Sequence, residues 1–293
     1  MLISVIIPVK NRADLIIDTI KSVVNTGYSK LEIIVVDNNS NDGLENVIKK
    51  FSNIKYLRNH IDKERSFSRN LGILNSNGEY ITFLDSDDLL NKDIFNKFLS
   101  CSKIYKQNNF FFSNYDFFDK KKIIKNKGKF IKKKCLPENM LFNNQISNIG
   151  FFIHKNLAKK IMYDENRNII GSEDYDFVLR AILKSKECIL IDKSALGFVR
   201  LHEGRSVFND EKLSILKRYY YFIKKITHHE DYSVLTRKQK NIIQSNLCLY
   251  TSLLLMNLSK KIISINFLLR AFKFKPTSIL SRRFIYLIYR ILN

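Results

Sequence analysis

The chain has 293 residues, 45% apolar and 27% charged, enough apolar material for one large domain or a domain with an appendage and too much for a disordered chain. Its four scattered cysteines, Cys101, Cys135, Cys188 and Cys248, show neither disulfide-scaffold nor zinc-ligand spacing and read as reduced thiols of a cytosolic protein. Fifty basic against 28 acidic residues leave a net charge of +22, and no apolar stretch reaches the roughly 18 residues of a membrane span.

The opening MLISVIIPV is apolar from its second residue, lacks a basic leader and meets Pro8, so it reads as a strand and not a secretory signal. Residues 2–9 and 31–37 are short unbroken apolar runs ending in polar residues, the pattern of strands buried on both faces of a parallel sheet. Between them Leu15, Ile16, Ile20, Val23 and Val24 recur at helical spacing, with Asn11 upstream as a candidate cap and Gly27 downstream as a stop. The alternation continues with a helix near 43–51, a strand near 54–58, a helix near 66–75 and a strand at 79–84. This predicts an α/β domain, whose ligand sites lie beyond the carboxyl ends of the strands. Three polar clusters sit at such ends: residues 10–12, 37–42 and 85–88.

After residue 100 two aromatic-rich strands, NFFFSNYDFF and IGFFIH, flank a lysine-dense hairpin or loop, with nine lysines and no acid in residues 120–134. From Ser214 the pattern is helical, and residues 232–293 hold eleven bases and no acid. No repeat and no linker is visible, so this tail is expected to pack on the main body. Residues 1–100 are neutral, with 13 bases and 13 acids, and the excess lies beyond them. Two readings of that excess stand: an anionic partner, or the lysine bias of an AT-rich genome, which the abundance of Asn, Ile and Phe also suggests.

Asp85-Ser86-Asp87-Asp88 places three carboxylates in four residues after an apolar strand. They repel one another unless a cation sits there, and Mg²⁺ or Mn²⁺ prefers carboxylate and phosphate oxygens; the competing reading is a turn that caps the next helix. A calcium loop is excluded, since Leu90 and Asn96 stand where it needs Gly and Glu. Asp37 either accepts hydrogen bonds from a base or ribose or caps the following helix. Arg65, Arg69 and Asn70 either clamp a diphosphate or sit as exposed helix charges. Glu173 and Asp174 open an amphipathic helix; they either satisfy its dipole or supply a general base whose pKa the dipole keeps low. His202 is a lone histidine, of interest only if the fold brings it to the acids.

In order and spacing, SVIIPVKNR, IIVVDNNSND, SRNLGI, GEYITFLDSDD, GSEDYDFVLR and VRLHEGRS resemble successive motifs of family 2 glycosyltransferases over residues 1–206. The resemblance implies a GT-A type α/β fold, a Rossmann-like mixed sheet flanked by helices, here with a helical basic C-terminal extension. Residues 1–100 would form the nucleotide-sugar half, 101–206 the acceptor and catalytic-base half, and 207–293 the helical extension. Carried over by motif, Pro8 and Arg12 lie against the nucleotide and Asp37 recognises the base, usually uracil. Arg69 and Asn70 lie near the diphosphate, with Ser68 in place of the usual Ala. Asp85, Ser86 and Asp87 form the DxD segment: Asp85 contacts ribose or metal and Asp87 holds Mn²⁺ or Mg²⁺. Glu173-Asp174 is the acidic pair with Asp174 as base, and His202 aids metal or diphosphate binding. The chain has no Trp, an aromatic that some members use near the acceptor.

The implied reaction is an inverting, metal-dependent transfer from a nucleoside diphosphate sugar to a hydroxyl of a glycan or lipid-linked acceptor in bacterial surface polysaccharide synthesis. A nucleotidyltransferase would need a Gly-rich loop after its first strand, where this chain has Val9-Lys10-Asn11-Arg12. A nucleic-acid partner is not expected, as no binding module is recognised and the first hundred residues are neutral. A non-catalytic sugar-nucleotide binder is disfavoured because all the acidic positions are kept. The expected place is cytoplasmic and peripheral on the inner face of the plasma membrane, with the acid-free tail on an anionic surface.

Overall fold

The computed structural model describes residues 1–119, 123–125, 129–130, 132–142, 144, 146–201 and 211–292. The first elements are β1 (Ile3–Val9), α1 (Ile16–Val24), β2 (Leu31–Asn38), α2 (Leu44–Ile48), β3 (Ile54–Asn59), α3 (Glu64–Leu74) and β4 (Tyr80–Phe83). Then come β5 (Leu89–Leu90), α4 (Ile94–Ile104), β6 (Phe110–Phe118), β7 (Ile123–Ile124), β8 (Lys134–Cys135), α5 (Pro137–Met140), β9 (Phe152–His154) and α6 (Lys155–Ile161). After a 3-10 turn at Arg167–Ile169 follow α7 (Glu173–Ser185), β10 (Cys188–Arg200), α8 (Lys212–His228), α9 (Arg237–Asn257), α10 (Lys261–Phe274) and α11 (Arg282–Leu292). The chain divides into two units, one of Met1–Leu136, Gln145–Glu165 and Glu173–His202, the other of Pro137–Asn144, Asn166–Ser172 and Glu203–Asn293.

In the first unit the described strands make one mixed sheet ordered β3-β2-β1-β4-β9-β6-β10-β5, with β7 paired to β6 and β8 to β10. Strands β3, β2, β1 and β4 run parallel. β9 runs antiparallel to both β4 and β6, and β10 returns parallel to β6. The carboxyl ends of β1, β2, β3, β4, β6 and β10 therefore share one edge, where such sheets hold ligands. β1 is buried at all seven positions, as its mostly apolar run requires, and its one hydroxyl, Ser4, donates to Glu32 of β2 at 2.6 Å. Pro8 lies past the paired stretch of β1 and β4, whose register ends at Ile6 and Phe83, so its missing N–H removes no rung of that stretch.

Helix α3 lies close on β1 at Gly72, where an added Cβ would sit 2.4 Å from Ile6 Cγ2. Only glycine permits this approach, and it draws in the preceding turn, which carries Arg69 and Asn70. On the same side Phe83, Phe151, Tyr163 and Phe177 form an aromatic cluster, with Tyr163 and Phe177 stacked at 4.0 Å.

Two expected caps differ from the structure. Asn11 has φ of 49° and its side chain accepts from Asn41 N at 3.0 Å, while α1 opens at Leu15 with no side-chain cap. Asp37 does not cap α2, which starts after Gly43 in the left-handed region. Gly27, at φ of 67°, does lie just past the end of α1.

In the second unit α9 begins with a capping box, Thr236 Oγ1 accepting from Gln239 N at 3.2 Å while Gln239 Oε1 accepts from Thr236 N at 2.9 Å. It packs on α10 through small hydroxyls: Ser252 and Ser264 lie 2.8 Å apart, and Ser245 donates to Ala271 O at 2.9 Å. No described helix is long and apolar enough to cross a membrane.

Candidate active site

β4 delivers the acidic segment to the carboxyl edge, and Leu84 N still donates to Ile6 O at 3.0 Å before the chain leaves the sheet. Each of the three following carboxylates meets a different donor. Asp85 accepts from Arg69 Nη2 at 2.9 Å, and Asp87 pairs with Arg12 from the β1–α1 loop. Asp88 accepts from Arg200 N at 2.9 Å, tying the segment to the end of β10, while its carbonyl takes the Thr19 hydroxyl of α1 at 2.9 Å. Ser86 is buried between them. The helix-capping alternative does not hold, since β5 intervenes before α4.

Arg69 is the hub. Its side chain is 1% exposed and donates from Nη2 to Asp85 and from Nη1 to Asp174 Oδ1, each at 2.9 Å. Its guanidinium carbon lies 5.2 Å from the Tyr163 ring centroid. Burial works against its charge, and Asp174 and Asp85 outweigh that, so it stays firmly protonated. Nε is buried and finds no partner among the described residues.

Asp174 stands in the first turn of α7 beside Glu173, which lies 3.4 Å from Arg65 Nε and 4.0 Å from Arg69 Nη1. Asn148 donates to Asp174 Oδ1 at 2.8 Å, and Tyr163 donates its phenol proton to Asn148 Oδ1 at 2.8 Å. Burial holds the Tyr163 phenol well above its usual pKa, so it remains a donor and fixes which end of the amide faces Asp174. The expectation that the helix dipole keeps the Asp174 pKa low is overturned. Burial pushes it up to about 7, against Arg69 and with help from Glu173 and Asp85, although 32% of its side-chain surface is open. Asp85 moves the other way: burial raises it, but Arg69, Arg65 and Arg12 prevail and hold it below the usual carboxylate range. Two neighbouring carboxyls are thus pushed apart, the arrangement that separates a base from a permanently charged partner.

Asp37 lies next to this cluster without joining it. Oδ1 accepts from Ser40 N at 2.8 Å and Oδ2 from the Tyr56 hydroxyl at 2.6 Å, with Arg58 Nε 3.7 Å away. The Asp37 turn is stapled to the Arg12 loop, since Asn11 N donates to Ser40 Oγ at 2.9 Å and Ala13 N to Asp42 at 2.8 Å. Asn70 spends its amide on the chain itself, donating to Tyr163 O at 2.9 Å and Glu165 Oε1 at 2.7 Å and accepting from Tyr163 N at 2.7 Å. Pro8 stays inside β1, and His202 lies outside the described residues. A concavity of about 400 Å³ lined by Lys97, Cys101, Lys133 and Asp192 shares no residue with the carboxylate cluster.

Among the described residues no three His, Cys, Asp or Glu side chains gather as a metal site. The donor chemistry of Asp85 and Asp87 still fits a hard divalent ion of the kind that keeps waters and shares a diphosphate, which one or two carboxylates suffice to hold. Arg12 would then have to yield or share Asp87. Asn148, Tyr163 and Arg200 were not visible as site residues in the sequence: Asn148 and Tyr163 sit where no motif is readable, and Arg200 lies inside the VRLHEGRS motif, where only His202 carried a role.

The family model "Glycosyl transferase family 2" matches residues 4–164, more than half of the chain. An uncharacterized glycosyltransferase of Haemophilus influenzae is 30% identical over 250 residues, covering 76% of this chain and 94% of that protein. The UDP-Glc:alpha-D-GlcNAc-diphosphoundecaprenol beta-1,3-glucosyltransferase WfgD of Escherichia coli is 29% identical over 224 residues, covering 74% and 83%. Against two longer Rickettsia relatives the chain spans 34% of their length. The crystal structure of S. aureus TarS 1-349 in complex with UDP-GlcNAc superposes with a TM-score of 0.64 at 16% identity, over 97% of this chain and 92% of that one. Family model, relatives and a shared GT-A fold agree, and the chain belongs to glycosyl transferase family 2, the glycosyltransferases.

Proposed function

We propose that the protein transfers a sugar from a UDP-linked donor, with inversion, to a hydroxyl of a lipid-linked glycan acceptor. The observation that carries the reading is the Arg69 bridge, which brings Asp85 of the DxD segment and Asp174 of α7 to one guanidinium at 2.9 Å each. UDP is favoured because the E. coli relative is named for a UDP-Glc donor and the TarS structure holds UDP-GlcNAc. The lipid-linked acceptor follows the diphosphoundecaprenol in the name of that relative.

Asp174 acts as general base. With a pKa of about 7 it is matched to proton transfer near neutral pH, strong enough to accept a proton yet substantially ionised. As the acceptor oxygen attacks the anomeric carbon, its proton passes to Asp174, and the bond to the diphosphate breaks with its electron pair going to the leaving oxygen. Attack from the face opposite that oxygen inverts the centre. Arg12 and Arg69 place positive charge beside the departing diphosphate, a stabilisation that grows as the bond breaks. Asp87 and Asp85 would hold Mn²⁺ or Mg²⁺, which supplies further neutralisation of the leaving group. Asp37 with its turn would face the base, Pro8, Ser86 and Asn70 would shape the donor side, Glu173 would support Asp174, and His202 would complete the diphosphate or metal site. Residues 1–100 then serve the donor and 101–206 the acceptor. A lipid-linked acceptor places the enzyme peripherally on the inner face of the plasma membrane.

The test is a panel of nucleotide sugars assayed for Mn²⁺-dependent hydrolysis and for binding. A UDP-sugar should be turned over, and Asp87→Ala should weaken metal-dependent nucleotide binding. Turnover confined to donors other than UDP-sugars, or metal dependence unchanged in Asp87→Ala, would refute the corresponding assignment.

A further inference from the structure

Two helices of the second unit each carry an exposed apolar stripe besides the face they bury. In α11, Leu287 is fully buried and Phe284 and Ile291 are half-buried, which accounts for the inward face. Ile285, Ile288 and Leu292, at i, i+3 and i+7, lie on a different arc and are 59%, 39% and 79% exposed. In α10, Ser264, Phe267, Leu268 and Ala271 face inward, while Ile262, Leu269 and Phe272 form a second arc and stand exposed. Exposed Lys261 and Lys273 flank the first of these stripes and exposed Arg282 the second. Single exposed aliphatics are ordinary on a protein surface. Three at helical spacing, on each of two successive helices, are not what a water-facing surface requires.

Charge decides what covers them. Residues 232–293 contain eleven bases and no acid, so the occupant must be anionic. The stripes are built of Ile, Leu and Phe, so it must also offer apolar depth. Tyr286 and Tyr289, both exposed, give α11 rings suited to a boundary between water and hydrocarbon. Bases beside an aliphatic arc, without a spanning helix, are the composition of helices that lie in the plane of a bilayer surface. We propose that the exposed faces of α10 and α11 dock on an anionic lipid bilayer, inserting Ile285, Ile288 and Leu292 and the α10 stripe while the flanking bases meet the headgroups. The reading of a lipid-linked acceptor supplies only the purpose of this contact.

The full chain is floated with vesicles containing phosphatidylglycerol and with vesicles of phosphatidylcholine alone, at low and high salt, without donor or acceptor. Binding to the anionic vesicles at low salt is expected, weakened by salt and absent on the neutral ones. Ile285→Ser/Ile288→Ser/Leu292→Ser should lower vesicle affinity by about tenfold or more. Lys261→Gln/Lys273→Gln/Arg282→Gln, which leaves every apolar contact in place, should lose affinity and most of the salt dependence. Asp174→Asn should bind vesicles as the wild type does, so a failure of the catalytic reading leaves this one standing. A wild type that ignores anionic vesicles overturns the proposal, as does a triple serine variant that binds undiminished. Self-association of the wild type that the serine variant loses, without vesicle binding, would assign the face to a second copy and equally overturn it.

Discussion

Replacing Asn148 by alanine removes the amide that holds Asp174 Oδ1 at 2.8 Å. A hydrogen bond to an ionised group is worth about 1.5–3 kcal/mol, and for a carboxylate with 32% of its surface in water about 1 kcal/mol remains after screening. The bond favours the charged form, so its loss raises the pKa, and about 1 kcal/mol corresponds to about 0.7 of a unit. Starting from about 7, the ionised fraction at neutral pH falls from about one half to about one sixth. The acid limb of kcat/KM, which reports the free enzyme's base, should therefore move to higher pH by about 0.7 of a unit while the rate at alkaline pH largely recovers. Asn148→Ala also strips the buried Tyr163 hydroxyl of its acceptor, a stability cost of about 1–3 kcal/mol. Adding Tyr163→Phe removes that orphan, so the double variant should regain stability yet keep the displaced limb. A limb that superimposes on the wild type, with rates reduced evenly at every pH, would reduce Asn148 to packing and remove it from the positioning of the base.

Asp174→Asn should abolish transfer and leave nucleotide affinity nearly intact; equal loss of both would assign the residue to binding. The same variant tests the raised pKa: stability from a group protonated in the fold is present at low pH and lost as pH rises through about 7. The thermal midpoint of Asp174→Asn should thus gain on the wild type between mildly acidic and alkaline buffer, and the opposite trend would show the pKa to be depressed. Arg69→Ala leaves Asp85, Asp174 and Glu173 without their shared buried cation and should cost about 3 kcal/mol in urea unfolding, whereas a loss below about 1 kcal/mol would make the bridge a surface-type pair. Gly72→Ala forces a Cβ to within 2.4 Å of Ile6 Cγ2 and should destabilise by about 1–3 kcal/mol. Ile6→Ala in that background should recover part of the loss, and no recovery would place the strain elsewhere.

The runs at 2–9 and 31–37 were legible because a strand buried on both faces is apolar at nearly every position, and β1 and β2 occupy those places, with the polar residues inside the runs, Ser4 and Glu32, hydrogen-bonded to each other at 2.6 Å. The polar clusters after β1, β2 and β4 could be placed on one edge for the same reason, since parallel strands joined by helices bring their carboxyl ends together. Local pattern also carried the start of α7 and the basic, helical character of the tail. Which partner each acid takes was not legible. Arg69 and Asp174 stand 105 residues apart, and they meet because β9 runs antiparallel between β4 and β6 and α3 closes on β1 at Gly72. The same holds for Asp88, which resembled its neighbours in the sequence and proved to hold the end of β10, 112 residues away. Asp174 shows the difference most sharply: the helix dipole, read along the chain, predicts a depressed pKa, whereas burial, with Glu173 beside it and Asp85 from a distant segment, raises it. Residue type and spacing determined the family, the parallel βαβ core and the identity of the acids; only tertiary structure decided their charge partners and basicity, because burial and non-local pairing depend on sheet order and not on neighbours in the chain.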